Sequence, residues 1–195
     1  MFPMRGRNTI VGTLAAGLLL LGGCHTVGTR ASGIDNFAAV ESADAGQAIY
    51  RGAQPSPVGL SNLKKMGVRS VIDLRDDAVP GERERVEHAG LAYIHIPTNA
   101  AVVDPAKIRA FLDAMSTAPK PVFVHCRAGR DRTGLEIAVY RMVVQGWSRE
   151  RALGELYAHG YNWGLFPGIA RYVKTFDPNT YIPPKTKLTD VQIGG

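Results

Sequence analysis

The sequence predicts an α/β domain with a central, mostly parallel sheet flanked by helices. Three observations carry that expectation. Short apolar runs such as Val71-Ile72 and Val122-Phe123-Val124 alternate with longer stretches of helical periodicity. The stretch from Leu135 to Val144 is apolar nearly all round, as a buried central helix should be. A loop rich in Arg and Gly follows Val122-Phe123-Val124, and open α/β sheets place their ligands at such strand ends. With 195 residues, 45% of them apolar, the chain suffices for one domain with a real core. The 12 prolines and 22 glycines are spread without a period, so no repeat is expected.

The elements follow in order. Ala48-Ile49-Tyr50-Arg51 reads as a short first strand, followed by the turn formers Gln54-Pro55-Ser56-Pro57. Leu60, Leu63 and Met66 suggest a helix stopped by Gly67, and Val68 to Leu74 a strand. Arg75 closes that strand and is expected in a surface ion pair rather than in a pocket. From Pro80 to Ala89, Glu82, Glu84 and Glu87 interleave with Arg83 and Arg85, the pattern of a solvated helix with little functional weight. Leu91 to Ile96 is a strand in which His95 is structural, with no second His or acid at metal-site spacing. Asp104 and Pro105 suit an N-cap and first helical position, and Ile108, Phe111, Leu112 and Met115 form one helical face. Ser148 caps a further helix with Ala152, Leu153 and Leu156 inward. Ile169, Tyr172, Val173 and Phe176 mark the last one.

The N-terminus stands apart. Arg5 and Arg7 precede the uncharged run from Ile10 to Leu21, a signal-peptide core too short to span a bilayer comfortably. It ends in Leu21-Gly22-Gly23-Cys24, which resembles a bacterial lipobox cleaved before Cys24. That likeness implies acylation of Cys24 and anchoring to a bacterial membrane on its periplasmic or cell-surface side. His25 in place of an Asp favours the outer membrane. The expected layout is therefore a signal peptide over 1–23, a flexible tether over 24–47, a catalytic domain over 48–176 and a loose tail over 177–195. Removing 1–23 leaves 21 basic against 17 acidic side chains, a net charge of +4. These cations gather at one loop or lie scattered among acids, which suits a small polyanionic substrate and not nucleic acid. The two cysteines, Cys24 and Cys126, form no intramolecular disulfide if Cys24 is acylated.

The chemistry concentrates in His125-Cys126-Arg127-Ala128-Gly129-Arg130-Asp131-Arg132-Thr133-Gly134. Strand, tight loop and helix N-terminus aim backbone N–H groups and the positive end of the helix dipole at one point. Arg127, Arg130 and Arg132 crowd that point, so the loop is built to hold an anion. A cysteine beside a helix N-terminus and several cations is expected as a nucleophilic thiolate. Arg132 is suited to a two-pronged contact with phosphate oxygens. Thr133 is placed to hydrogen-bond the sulfur as it leaves. Cys126 as a merely structural, buried thiol would not need three arginines beside it.

Cys126, five residues, Arg132 and Thr133, with His125 in front, resemble the signature loop of the cysteine-dependent protein tyrosine and dual-specificity phosphatases. The resemblance covers about Ala48 to Phe176, and Ile72-Asp73-Leu74-Arg75 adds to it. It implies that family's fold and a phosphocysteine intermediate on Cys126, with phosphoryl binding by Arg132 and by the loop residues Arg127, Ala128, Gly129 and Arg130. It also implies support of loop and thiolate by His125, with no cofactor and no metal. Basic residues at 127 and 130 resemble lipid-phosphate and inositol-phosphate phosphatases, so the implied partners are phosphoproteins, inositol phosphates or phosphoinositides. The loop alone also fits a rhodanese-like sulfurtransferase, but the Arg-Thr-Gly ending favours the phosphatases.

One departure stands out. Ester cleavage needs a proton for the departing oxygen, and most of the family takes it from an Asp about thirty residues before the Cys. Here that region, Ile94 to Ala100, holds no carboxylate. Asp131 is the favoured substitute, resembling enzymes that draw the acid from that loop slot. Asp104 is the alternative, and a salt bridge to a loop arginine is the plainer role for Asp131. The missing acid also motivates a second reading, a membrane-tethered pseudophosphatase that binds phosphate without turnover.

Overall fold

In a computed structural model, which describes residues 33–40, 48–77 and 79–181, the strands form one sheet around the segment that precedes Cys126. In chain order the elements are β1 (Ala38–Val40), β2 (Ile49–Gly52), α1 (Pro57–Lys65), β3 (Ser70–Arg75), α2 (Glu82–His88) and β4 (Ala92–Thr98). They continue with α3 (Pro105–Thr117), β5 (Val122–His125), α4 (Asp131–Gln145), α5 (Arg149–Ala158) and α6 (Pro167–Thr175). The sheet order is β1-β2-β5-β3-β4. β5 runs parallel to both β2 and β3, β4 runs parallel to β3, and only β1 is antiparallel to its neighbour. The expected α/β architecture with a mostly parallel sheet is what the chain adopts.

Strand β5 is buried at all four positions because it lies at the centre with helices on both faces. Its residues alternate between two apolar layers. Val122 and Val124 join Ile72 and the inward faces of α3 to α6, while Phe123 joins Val71, Leu60, Leu63 and Val86 under α1 and α2. Helix α4 is buried over its middle and is the central helix that its composition predicts, though Val144 at its end faces solvent. Ser56, Asp104 and Ser148 cap α1, α3 and α5, each accepting a hydrogen bond from a first-turn amide. Met66, one of the residues that suggest α1, is its exposed C-cap residue.

The domain starts earlier and ends later than expected. Residues 33–40 belong to the fold and not to a tether. Ile34 is 2% exposed against Leu60, Leu63 and Phe123, Phe37 stacks on Tyr50 at 5.6 Å, and β1 pairs with β2. A three-residue edge strand among small polar residues shows no alternation, which is why the tether reading missed it. The start of the expected tail also docks. Asp177 caps a 3₁₀ turn over Pro178–Thr180, the Tyr181 hydroxyl donates to Asp113 Oδ1 at 2.9 Å, and the Arg109 guanidinium lies over the Tyr181 ring. The signal peptide over 1–23, Cys24, the rest of the tether and the tail beyond 181 lie outside the described residues. Among the described residues no helix is long and apolar enough to cross a membrane.

Candidate active site

The strand order places two loops against the one that carries Cys126. Because β2 and β3 flank β5, their C-terminal ends lie on either side of His125, with Gly52 and Asp73 in register with it. Chain segments far apart in sequence therefore build the site.

The Cys126–Arg130 loop folds back over the end of β2. Gly129 has a left-handed φ of 66°, and a Cβ there would collide with the backbone of Gly52 and Ala53. Its carbonyl accepts from Asn36 Nδ2 at 2.8 Å and from Arg51 Nη2 at 3.0 Å, and the Gln54 amide donates to the Arg127 carbonyl at 3.3 Å. These donors hold a carbonyl away from the loop's interior, where an anion needs N–H groups. Cys126 lies buried at the loop's base, while Arg127, Ala128 and Arg130 are exposed at its mouth. Thr133 is buried in the first turn of α4, and its hydroxyl has no hydrogen-bond partner among the described residues.

Arg51 is the largest polar group inside the domain. It shares the buried parity of β2 with Ile49, and its Nε and Nη1 have no hydrogen-bond partner among the described residues. Burial lowers its guanidinium to about 10, against the charges of Glu155 and Cys126, which favour the cation. A fixed positive charge therefore stands behind the thiol, where sequence reading placed only a strand residue. The signal was available: two residues from Ile49 in a strand puts Arg51 on the same face.

His125 is supported from the other flank. Its Nε2 lies 3.1 Å from Glu82 Oε1 and its Nδ1 3.9 Å from Asp73 Oδ1, all three residues being buried. Glu82 Oε1 also accepts from Gln54 Nε2 at 2.6 Å, and Gln54 Oε1 accepts from Arg75 Nη1 at 2.9 Å. Burial opposes the charge on Glu82, but His125 and Gln54 outweigh it and hold the carboxyl below its ordinary value. The solvated reading of Glu82 is thus corrected. It is the one acid of that charged run turned into the core, and a helix of seven residues is too short for periodicity to separate it from Glu84 and Glu87. His95 is structural as expected, its Nε2 2.7 Å from the Arg75 carbonyl oxygen.

Asp73, Glu82 and His125 bring one donor atom each within 4.8 Å of one another, which their sequence spacing does not show. Asp73 Oδ1 accepts from the Arg75 amide and Oδ2 from the Tyr93 hydroxyl, so these acids are engaged with protein donors. The cluster is a buried polar network around His125. Arg75 forms the expected ion pair, at 2.9 Å with Asp77.

Arg132 and the two expected acids are placed as follows. Arg132, 12% exposed in the first turn of α4, contacts Asp76 Oδ1 through Nη1 at 2.5 Å and Asp77 Oδ1 at 3.3 Å. Asp131 Oδ1 accepts from the Asn162 amide at 2.8 Å, so it fastens the α5–α6 connection to the start of α4 and does not bridge to a loop arginine. Asp104 Oδ1 accepts from the Ala106 amide at 2.8 Å as the α3 N-cap. His125 ends β5, Cys126 follows it, and Arg132 and Thr133 stand in the first turn of α4 at the far end of the same loop. Arg51, Asn36, Gln54, Glu82 and Asp76 join them from outside the motif.

Comparison with known proteins agrees with this geometry. Residues 29–162 match the family model described as DSP-PTPase phosphatase fused to NAD+ kinase. The dual specificity protein phosphatase TpbA of Pseudomonas aeruginosa (strain UCBPP-PA14) is 34% identical over 116 residues, covering 58% of this chain and 51% of TpbA. A crystal structure of P. aeruginosa TpbA in complex with pTyr matches with a TM-score of 0.60 at 27% identity, covering 77% of this chain and 94% of that one. The inositol diphosphatase DSP3 of Arabidopsis thaliana is 29% identical over 136 residues, 66% of this chain and 64% of DSP3. The chain spans about half the length of the TpbA sequences it matches.

Proposed function

This chain belongs to the DSP-PTPase phosphatase family, and we propose that it is a cysteine-dependent phosphomonoesterase working through a phosphocysteine. The carrying observation is the closed loop itself. A buried Cys126 lies at the base of a loop whose Gly129 carbonyl is held by Asn36 and Arg51, and Arg132 rises from the adjoining helix turn. Such a loop presents N–H groups and a guanidinium to a tetrahedral anion.

In this reading the Cys126 thiolate attacks phosphorus while the loop amides and Arg132 hold the equatorial oxygens. The bond from phosphorus to the leaving oxygen breaks, and that oxygen takes up a proton. Water then attacks phosphorus, the S–P bond breaks, and Thr133 stabilises the departing thiolate. His125, held by Glu82, positions the residue that follows it. Asp131 serves by position, ordering residue 162 beside the loop.

Phosphotyrosine and inositol phosphates or phosphoinositides are the proposed substrates. The pTyr bound in the TpbA structure and the printed activity of DSP3 support the two classes. Exposed Arg127 and Arg130 suit substrates with a second phosphate. The reading keeps export and lipid anchoring through Cys24, which the Cys24 motif supports.

The test is phosphate release by the full-length chain and by Cys126→Ser, under reducing conditions, from a phosphotyrosine peptide, an inositol polyphosphate and a phosphoinositide. Release is expected from the wild type alone, with the fold of the variant intact. Equal release by Cys126→Ser overturns the mechanism. Phosphate binding without release from any substrate establishes the non-catalytic module instead.

A further inference from the structure

The one carboxyl in the motif, Asp131, already holds the Asn162 amide through Oδ1. We propose that Asp76, in the connection after β3, is the general acid of this site. The proposal rests on the phosphomonoesterase reading above, and it follows from sheet order and from what each nearby carboxylate already does.

The region expected to supply the acid follows β4, which is separated from β5 by β3. Strands lie about 4.8 Å apart, so the β4 connection, with Asp104 in it, begins about two strand spacings from the end of β5. The connection after β3 begins one spacing away. Asp76 lies in it and reaches the site, its Oδ1 at 2.5 Å from Nη1 of the arginine expected to hold the phosphoryl group.

The other carboxylates are committed elsewhere. Asp131 holds the Asn162 amide and Asp104 caps α3. Glu82 and Asp73 are buried beneath His125. Asp77, beside Asp76, is tied by the Arg75 side chain at 2.9 Å, which lowers its carboxyl to about 2. Asp76 is 41% exposed at its side chain, and among the described residues its partner is Arg132. Solvent can therefore reload it between turnovers.

An arriving phosphate dianion takes the place of the Asp76 carboxylate on Arg132, and the released carboxylate takes up a proton from solvent beside the dianion. The carboxyl then stands beside the bound phosphoryl group on the side open to solvent, where a leaving group must depart. As the P–O bond breaks, the Asp76 carboxylic acid passes its proton to the leaving oxygen and becomes a carboxylate. In the second step that carboxylate takes a proton from the attacking water, the S–P bond breaks, and thiolate, phosphate and carboxylic acid are restored.

The test compares full-length wild type, Asp76→Asn and Asp131→Asn on p-nitrophenyl phosphate, whose leaving group departs without help, and phenyl phosphate, whose leaving group needs a proton. Inhibition by inorganic phosphate is measured in parallel. Asp76→Asn is expected to lose about 10²–10⁴-fold in kcat/KM on phenyl phosphate and far less on p-nitrophenyl phosphate, with phosphate binding undiminished. Asp131→Asn is expected to treat the two substrates alike. An active wild type whose Asp76→Asn variant loses equally on both esters, loses nothing, or loses phosphate affinity in proportion overturns the assignment alone. A wild type that releases phosphate from neither overturns the phosphomonoesterase reading and the assignment with it.

Discussion

Replacing Glu82 by Gln removes one negative charge from a carboxyl that is 3% exposed and 3.1 Å from His125 Nε2, and changes little else. The amide keeps the volume of the side chain and an oxygen for Gln54 Nε2 to donate to. Weakening a buried polar contact to a charged group costs about 1.5–3 kcal/mol. The retained acceptor places Glu82→Gln at the lower end, about 1.5 kcal/mol. That is an appreciable part of the roughly 5–15 kcal/mol that holds a domain folded. Urea unfolding at pH 7 should show a lower midpoint at an unchanged slope. The pH dependence has a definite sign. Glu82 is held below its ordinary value in the folded chain, so its contribution is complete above the unfolded value of about 4.3. It is lost as pH falls through the lower, folded value. The difference between wild type and variant should therefore be flat from pH 7 to about pH 5.5 and shrink below that. A difference under about 0.5 kcal/mol at pH 7, which is the ordinary range for surface substitutions, would refute the buried pair and with it the support assigned to His125.

Two further outcomes are expected away from the reacting atoms. Glu136 is fully buried in α4 with neither carboxyl oxygen hydrogen-bonded to a described residue, and burial pushes its carboxyl well above the ordinary range. The folded chain therefore keeps a proton there that the unfolded chain releases, and stability falls as pH rises above the unfolded value of about 4.3. Glu136→Met should raise stability at pH 7 by about 1–3 kcal/mol and flatten that slope, read by urea midpoints at pH 4 and 7; a midpoint lowered at pH 7 contradicts the buried acid. For the N-terminus, a chain expressed in bacteria with labelled palmitate should incorporate label, and Cys24→Ser should not. Label retained in the variant, or absent from the wild type, removes the lipid anchor from the proposal.

The motif was legible because its parts are consecutive. Val122 to Gly134 supply strand, loop and helix start in one run, so local spacing alone places Cys126, Arg132 and Thr133 on one strand–loop–helix turn. The helices of this chain were readable for the same reason, since caps such as Asp104 and Ser148 and apolar faces such as Ile108 to Met115 are local patterns. Edges and ends were not. Ile34 and Phe37 lie in a three-residue strand whose pairing partner is seen only once β2 is in place, and Tyr181 docks through a hydroxyl to Asp113, 68 residues away.

The sequence by itself determined the fold class and the strand, loop and helix start around Cys126, because each is written in the order of neighbouring residues. The tertiary structure decided what surrounds them. Asn36 and Arg51 meet the Gly129 carbonyl from 93 and 78 residues away, and Asp76 meets Arg132 across 56. No residue period encodes these meetings. They exist because β5 pairs with β2 on one edge and β3 on the other, so the connections after those two strands border the Cys126 loop.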